Sequence, residues 1–115
     1  MIVLSNTGAS VDLLLRKGAA FGRTFTLKTN GVVTDITGYS FASQVRTQAG
    51  SLVATFSCNI VNASQGTFSI ALSAAAIAAL TIGTTYVWDL EASNPGGTTE
   101  LMRGNVEVVA ETTLP

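Results

Sequence analysis

Two carboxylates come nearest to a catalytic arrangement in this sequence, Asp89 and Glu91, which lie two positions apart. Side chains at positions i and i+2 of a strand point to the same face, and two carboxylates about 5–9.5 Å apart can hydrolyse a glycosidic bond. The apolar residues Tyr86, Trp88 and Leu90 alternate with them, which is typical of a strand with one core face and one solvated face. We therefore expect both carboxylates on the solvated face, and the sequence predicts no catalytic residue.

Thiol and metal chemistry lack the residues that they usually need. The chain has no histidine, and Cys58 is its only cysteine. The thiol thus has no imidazole base, and no cysteine pair is present for a disulfide or a zinc site. We expect Cys58 to be a small buried hydrophobe. The other acidic residues are scattered along the chain, at Asp12, Asp35, Glu100, Glu107 and Glu111. Because no loop concentrates them as a calcium site would, we expect neither a metal nor a cofactor.

Charged residues are unusually few. They make up 11% of the 115 residues, whereas an ordinary soluble domain has about 25%. Six basic and seven acidic residues give a net charge of −1, which excludes the basic footprint of a nucleic-acid-binding protein. The longest apolar run, residues 74–80, is far shorter than the roughly 18 residues of a membrane-spanning helix. The deficit indicates contact with a partner or a second copy, or else a surface of neutral hydroxyl and amide groups.

The dominant hydrophobic period is two, which is typical of half-buried strands. The predicted core stripes are Val11, Leu13 and Leu15; Phe21, Phe25 and Leu27; Tyr39, Phe41 and Val45; Leu52, Ala54, Phe56, Cys58 and Ile60; Phe68, Ile70 and Leu72; Tyr86, Trp88, Leu90 and Ala92; Met102, Gly104, Val106 and Val108. The predicted outward face includes Thr24, Thr26, Ser40, Gln44, Thr55, Ser57, Thr67, Ser69, Val87 and Asn105. Seven or eight short strands at this spacing predict an all-β, immunoglobulin-like antiparallel sandwich.

One segment departs from the period of two. Residues 73–80 combine Ser73, a good N-cap, with alanines that favour a helix, and we expect a short helical crossover between the sheets. Tyr86 follows near the start of the next strand. This position resembles the tyrosine corner of immunoglobulin-like sandwiches, in which the hydroxyl binds the backbone of the corner.

Parity favours one register for the final hairpin around residues 94–97. Opposed residues of an antiparallel pair share a face, which favours residue numbers that sum to 192. Trp88 then faces Gly104, and Asp89 faces Arg103 as an exposed ion pair. A sum of 191 would instead place Glu91 opposite Glu100, two like charges.

Four blocks of sequence, residues 12–21, 35–46, 83–91 and 101–108, together resemble a known family. It is the group of small phage immunoglobulin-like domains typified by the amino-terminal domain of phage baseplate upper proteins, and the resemblance spans residues 11–111. It implies a non-enzymatic bacteriophage virion structural protein. Such a protein would be an accessory module of the tail or baseplate, or a decoration (cement) protein of the capsid surface. A carbohydrate-binding or adhesin-type β-sandwich is the alternative.

The resemblance also sets expectations for organisation and partners. We expect an amino-terminal arm at residues 1–10, one sandwich domain at 11–111 and a carboxy-terminal tail at 112–115. The partners would be other virion proteins and further copies of the chain in a dimer or trimer, with no nucleic acid and no membrane. The first residues lack the basic and apolar regions of a signal peptide, so we expect synthesis in the host cytoplasm and residence in the virion.

Overall fold

A computed structural model describes residues 2–5 and 9–110, with side chains from residue 10 onward. The strands are β1 (Ile2–Ser5), β2 (Ala9–Ser10), β3 (Leu13–Arg16), β4 (Phe21–Thr29), β5 (Val32–Val33), β6 (Ser40–Thr47), β7 (Leu52–Thr55), β8 (Ser57–Asn62), β9 (Thr67–Leu72), β10 (Tyr86–Asn94) and β11 (Gly97–Val109). A 3-10 helix spans Ala63–Gln65, and the helix α1 spans Ala74–Ala78. The predicted tail at 112–115 lies outside the described residues.

The strands form two sheets that pack face to face. In the first sheet the order is β1-β4-β9-β8, with β5 paired to β4, and in the second it is β2-β11-β10-β6-β7, with β3 paired to β11. This is an immunoglobulin-like sandwich, and the predicted fold class is confirmed. The described residues form more strands than the seven or eight predicted. Short strands form near the amino terminus, and the stripe at residues 52–60 divides into two strands.

The amino-terminal strands pair in parallel, which differs from the antiparallel pattern that the sequence predicts. β1 runs beside β4, with Ile2 opposite Phe25, while β2 and β3 run beside β11, with Leu13 opposite Val106. A parallel pair needs a connection of a dozen or more residues, and the intervening strands of the sandwich supply it. The boundary between arm and domain stays a prediction, although residues 2–5 and 9–10 pair within the sandwich.

Aromatic rings join the two layers of the core. Phe41 of β6 stacks on Phe68 of β9 with ring centroids 3.9 Å apart. Phe25 of β4 also stacks on Phe68, with ring centroids 5.4 Å apart. Trp88 of β10 meets Phe56 edge-on at 6.2 Å. Since β6 lies in the second sheet and β9 in the first, the Phe41–Phe68 stack ties the sheets together at a fully buried ring.

The predicted stripe from Leu52 to Ile60 is wrong as a continuous buried face. Only Phe56 is buried, whereas Leu52 and Ile60 are 50% and 42% exposed. At Phe56 the chain leaves the second sheet and enters the first, so β7 and β8 are both edge strands. A strand at an edge has a neighbour on one side only, and its side chains are therefore less covered.

Two threonines predicted to face outward are buried instead. Thr26 of β4 lies opposite Thr67 of β9, and each keeps less than a tenth of its surface exposed. β4 has β1 on its other side, where Val3 pairs with Thr26. The amino-terminal strand makes β4 an interior strand, which the alternation of residue types does not reveal.

The corner between β9 and β10 forms as the sequence predicts. The Ser73 hydroxyl accepts a hydrogen bond from the Ala76 N–H at 3.1 Å and caps α1, whose Ile77 is fully buried. The Tyr86 hydroxyl accepts from the Thr81 N–H at 2.8 Å. This is the bond of a tyrosine corner, and the prediction for Tyr86 is confirmed.

Candidate functional site

The predicted register holds in one part of the final hairpin, and the register that the sequence disfavours occurs in the other part. Trp88 pairs with Gly104 and Asp89 with Arg103, as the sum of 192 requires. A register shift between Leu90 and Glu91 then places Glu91 opposite Glu100. The Arg103 guanidinium forms its ion pair with Glu100, at 3.0 Å, and not with Asp89. Because this bond partly neutralises Glu100, the hairpin tolerates the facing acidic residues.

Gly104 leaves room for the backbone of Val11, in the link between β2 and β3, to approach β10 and β11. A Cβ at position 104 would overlap the Val11 carbonyl oxygen and lie 2.5 Å from its carbon. With no side chain there, that carbonyl reaches the buried indole and accepts from Trp88 Nε1 at 2.8 Å. The predicted aromatic-over-glycine pair therefore has a third member, the Val11 carbonyl, which comes from the link between β2 and β3.

Asp12 supplies a hydrogen-bond acceptor at the point where the backbone ladder along β11 is interrupted. The Val11 N–H donates to the Arg103 carbonyl at 2.8 Å, but the Val11 carbonyl is turned inward to Trp88. The next donor on β11 is the Asn105 N–H, which donates to Asp12 Oδ1 at 2.9 Å. The carboxylate thus occupies the place of a backbone carbonyl between β2 and β3.

Two substitutions of Asp12 distinguish the effect of its hydrogen-bond acceptor from the effect of its charge. Asp12→Ala leaves the Asn105 N–H without this acceptor and should lower the free energy of unfolding by about 1 kcal/mol. Asp12→Asn keeps an oxygen acceptor and should lose less than half of that. Urea denaturation of both variants, with hydrogen exchange of the Asn105 amide, measures the difference. Equal losses would show that the bond does not hold the ladder.

A cleft of about 460 Å³ opens on the outer face of the second sheet, beside this ladder. Its charged lining has both signs, with Asp12, Asp89 and Glu100 near Arg46 and Arg103. The sheet order β11-β10-β6 brings these residues together although they are far apart in sequence. Alternation alone predicts that each faces outward but does not identify which strands are neighbours.

The groups in the cleft differ in how firmly the protein holds them. Arg46 donates to Gln44 Oε1 at 2.7 Å and to the Gly50 carbonyl at 2.9 Å, so its position is defined. Within the described part of the chain, no hydrogen bond or ion pair engages the Asp89 carboxylate. Asp89 is half-buried on the outer face, as predicted. The cleft therefore presents a fixed cation beside an available anion, which suits contact with a polar surface.

The Cys58 side chain is less buried than the sequence predicts. Cys58 is half-buried on β8, and burial raises the pKa of its thiol above the ordinary value. Among residues 2–5 and 9–110, no three of the His, Cys, Asp and Glu side chains gather where they would hold a metal ion. Within the same residues, no helix is both long and apolar enough to cross a membrane.

The raised pKa of Cys58 predicts a pH dependence. A thiol whose pKa is higher in the folded state keeps its proton to higher pH, so stability falls as pH rises above the pKa of the unfolded thiol. We expect slower alkylation by iodoacetamide in the folded protein than in urea at pH 8. We also expect the free energy of unfolding to decline more between pH 8 and 10 than in Cys58→Ser. Matching pH profiles in the two proteins would contradict this expectation.

Comparison with known proteins places this geometry in a family. Residues 7–109 match the family described as the LtfC-like, beta-sandwich domain. The N-terminal domain of phage TP901-1 ORF48 has a TM-score of 0.55 at 17% identity, covering 93% of this chain and 94% of that chain. The bradyzoite-specific antigen BSR4 of Toxoplasma gondii has a TM-score of 0.35 at 18% identity, covering 88% of this chain and 44% of that chain. No curated protein matches the chain.

The two kinds of match agree on the sandwich. The likeness to the ORF48 domain extends over nearly the full length of both chains, and it confirms at the level of fold the predicted resemblance to phage immunoglobulin-like domains. The family match covers most of the sequence, including every strand from β2 to β11. The chain belongs to the LtfC-like β-sandwich domain family.

Proposed function

We propose that this chain is a non-enzymatic structural module of a bacteriophage virion. It would sit on the tail or baseplate, or on the capsid surface, and bind other virion proteins. The observation that carries the proposal is the full-length fold likeness to the N-terminal domain of a phage protein, together with the four sequence blocks that resemble baseplate upper proteins. The mixed charges of the outer cleft support it, because such a surface recognises a protein partner in one register.

The surface favours this role over carbohydrate binding. A sugar-binding site usually offers aromatic rings in a largely apolar pocket. The aromatic residue beside the cleft is Trp88, which is only 3% exposed, and its Nε1 donor already binds the Val11 carbonyl. The cleft instead offers carboxylates, guanidinium groups and amides, which match a polar protein surface.

Mass spectrometry of purified virions tests the proposal. We expect the chain in the particles at a constant ratio to the major capsid protein after gradient purification. Immunogold labelling of the same particles would then assign it to the tail or to the capsid. Absence from particles that assemble while the chain is expressed would overturn the proposal. As a second arm, Asp89→Ala should reduce incorporation while leaving the unfolding midpoint unchanged.

A further inference from the structure

The two sheets end on the same side of the sandwich in strands that have no outer neighbour among residues 2–5 and 9–110. β7 is the last strand of the second sheet, β8 is the last strand of the first, and Phe56 alone joins them. We call β7 and β8 together the neutral edge. It carries four of the large exposed hydrophobic residues of the described chain, namely Leu52, Val53, Ile60 and Val61. The edge thus exposes large hydrophobic side chains where edge strands usually carry charged ones.

The neutral edge also lacks every charge. Residues 47–88 contain no Asp, Glu, Lys, Arg or His, and all thirteen charged residues lie outside this stretch. Proteins usually protect an open edge with lysine or proline, and both prolines lie elsewhere, at residues 95 and 115. An unprotected edge exposes unpaired backbone N–H and C=O groups, which favours pairing with another strand.

The register of β8 indicates which part is available for pairing. β8 pairs with β9 on its inner side, from Ser57 opposite Ala71 to Ile60 opposite Phe68. A register shift follows between Ile60 and Asn62, so Val61 interrupts the regular ladder. Residues 57–60 are therefore regular enough to accept a partner strand, and Val61 would flank the contact with its exposed side chain.

A second copy of this chain is the occupant that the charge pattern favours. A two-fold axis places a surface against itself, and any charge near the axis then meets its own like charge. An edge with no charge avoids this repulsion and loses no ion hydration on association. A different, charged partner would find nothing on this edge to complement, in contrast to the outer cleft with its charges of both signs.

We infer that β8 pairs antiparallel with β8 of a second copy across a two-fold axis, which makes the first sheets of the two copies continuous. Leu52 and Val53 of β7 border the contact and Val61 packs at its end. The inference rests on the proposed function, because it supplies the homo-oligomer through which a virion module is presented. It leaves the charged cleft of each copy free for other virion proteins.

Solution mass and hydrogen exchange of the isolated full chain test this interface. Light scattering coupled to size exclusion should give twice the 11.8 kDa of one chain. Val61→Lys should raise the dimer dissociation constant at least tenfold. The matched control is Val32→Lys, since Val32 on β5 is 68% exposed against 61% for Val61, and it should leave that constant unchanged. Circular dichroism would verify that both variants fold.

Hydrogen exchange locates the contact independently of any substitution. Peptides that cover residues 52–62 should gain protection as protein concentration rises through the dissociation constant, while peptides from β11 should not. A wild-type chain that stays monomeric at millimolar concentration would overturn the inference. So would equal weakening by the two lysine variants, or protection confined to another strand.

The dimer experiment and the virion experiment can each fail without the other. A chain that dimerises through β8 but is absent from virions overturns the proposed function and keeps the interface. A chain that is present in virions but monomeric in solution overturns the interface and leaves the proposed function standing. In that second case, another virion protein would cover the neutral edge.

Discussion

Gly104→Ala should be among the most damaging single substitutions in this protein, at a cost of about 3 kcal/mol or more. The new Cβ would overlap the carbonyl oxygen of Val11, and the obstacle is backbone that cannot rotate away. Overpacking of this kind costs about 1–3 kcal/mol. Displacing the carbonyl also leaves the buried Trp88 N–H without its acceptor, which adds about 1–3 kcal/mol.

Gly22→Ala is the matched control for this substitution. Gly22 also lies within a strand, but the nearest atom to its added Cβ is the Ile70 carbonyl oxygen at 3.9 Å, an ordinary contact. We expect its free energy of unfolding to stay near the wild-type value. Chemical denaturation gives both numbers, and fluorescence of Trp88, the only tryptophan, reports the site directly. Equal stability of the two alanine variants would show that Gly104 is not required for space.

Phe68→Ala should cost about 3–5 kcal/mol, the usual range for removing a buried aromatic ring. Phe68 has no exposed surface and stacks against Phe25 of its own sheet and Phe41 of the other. Its removal leaves a cavity between the sheets and separates two ring pairs, each of which contributes about 0.5–1.5 kcal/mol. Domains of this size have only about 5–15 kcal/mol of stability, so a large fraction would be lost.

Thermal and urea unfolding followed by circular dichroism measure this effect. Val32→Ala is the control, because Val32 lies on β5 of the same sheet and is 68% exposed. It should change the free energy of unfolding by less than about 0.5 kcal/mol. A loss below 1 kcal/mol in Phe68→Ala would mean that the sheets are held together elsewhere than at the Phe41–Phe68 stack.

The few charged residues are distributed unevenly over the folded protein. Several gather around the cleft on the second sheet, while residues 47–88 carry none and include both strands of the neutral edge. The composition predicts that charges are few, and the structure shows where they lie: several line the cleft and none lies on the neutral edge.

β10 was predictable from the sequence because it lies between two strands, with one face in the core and the other towards solvent. In β10 the alternation of Tyr86, Trp88 and Leu90 with Asp89 and Glu91 matches the burial observed along the strand. The turn between β4 and β5 has a local cause, since Asn30 and Gly31 adopt the positive φ angles, 52° and 80°, of a two-residue hairpin. The same alternation failed from Leu52 to Ile60, where the strands lie at open edges.

The sequence by itself determined the all-β class, the tyrosine corner at Tyr86 and the register of Trp88 with Gly104, because these depend on alternation and local chemistry over a few residues. Only the tertiary structure decided that the Val11 carbonyl packs against Gly104, that Asp12 completes the hydrogen-bond ladder of β11, and that the chain changes sheets at Phe56. Each of these depends on which strands become neighbours, and that choice is made by packing between segments that are distant in sequence.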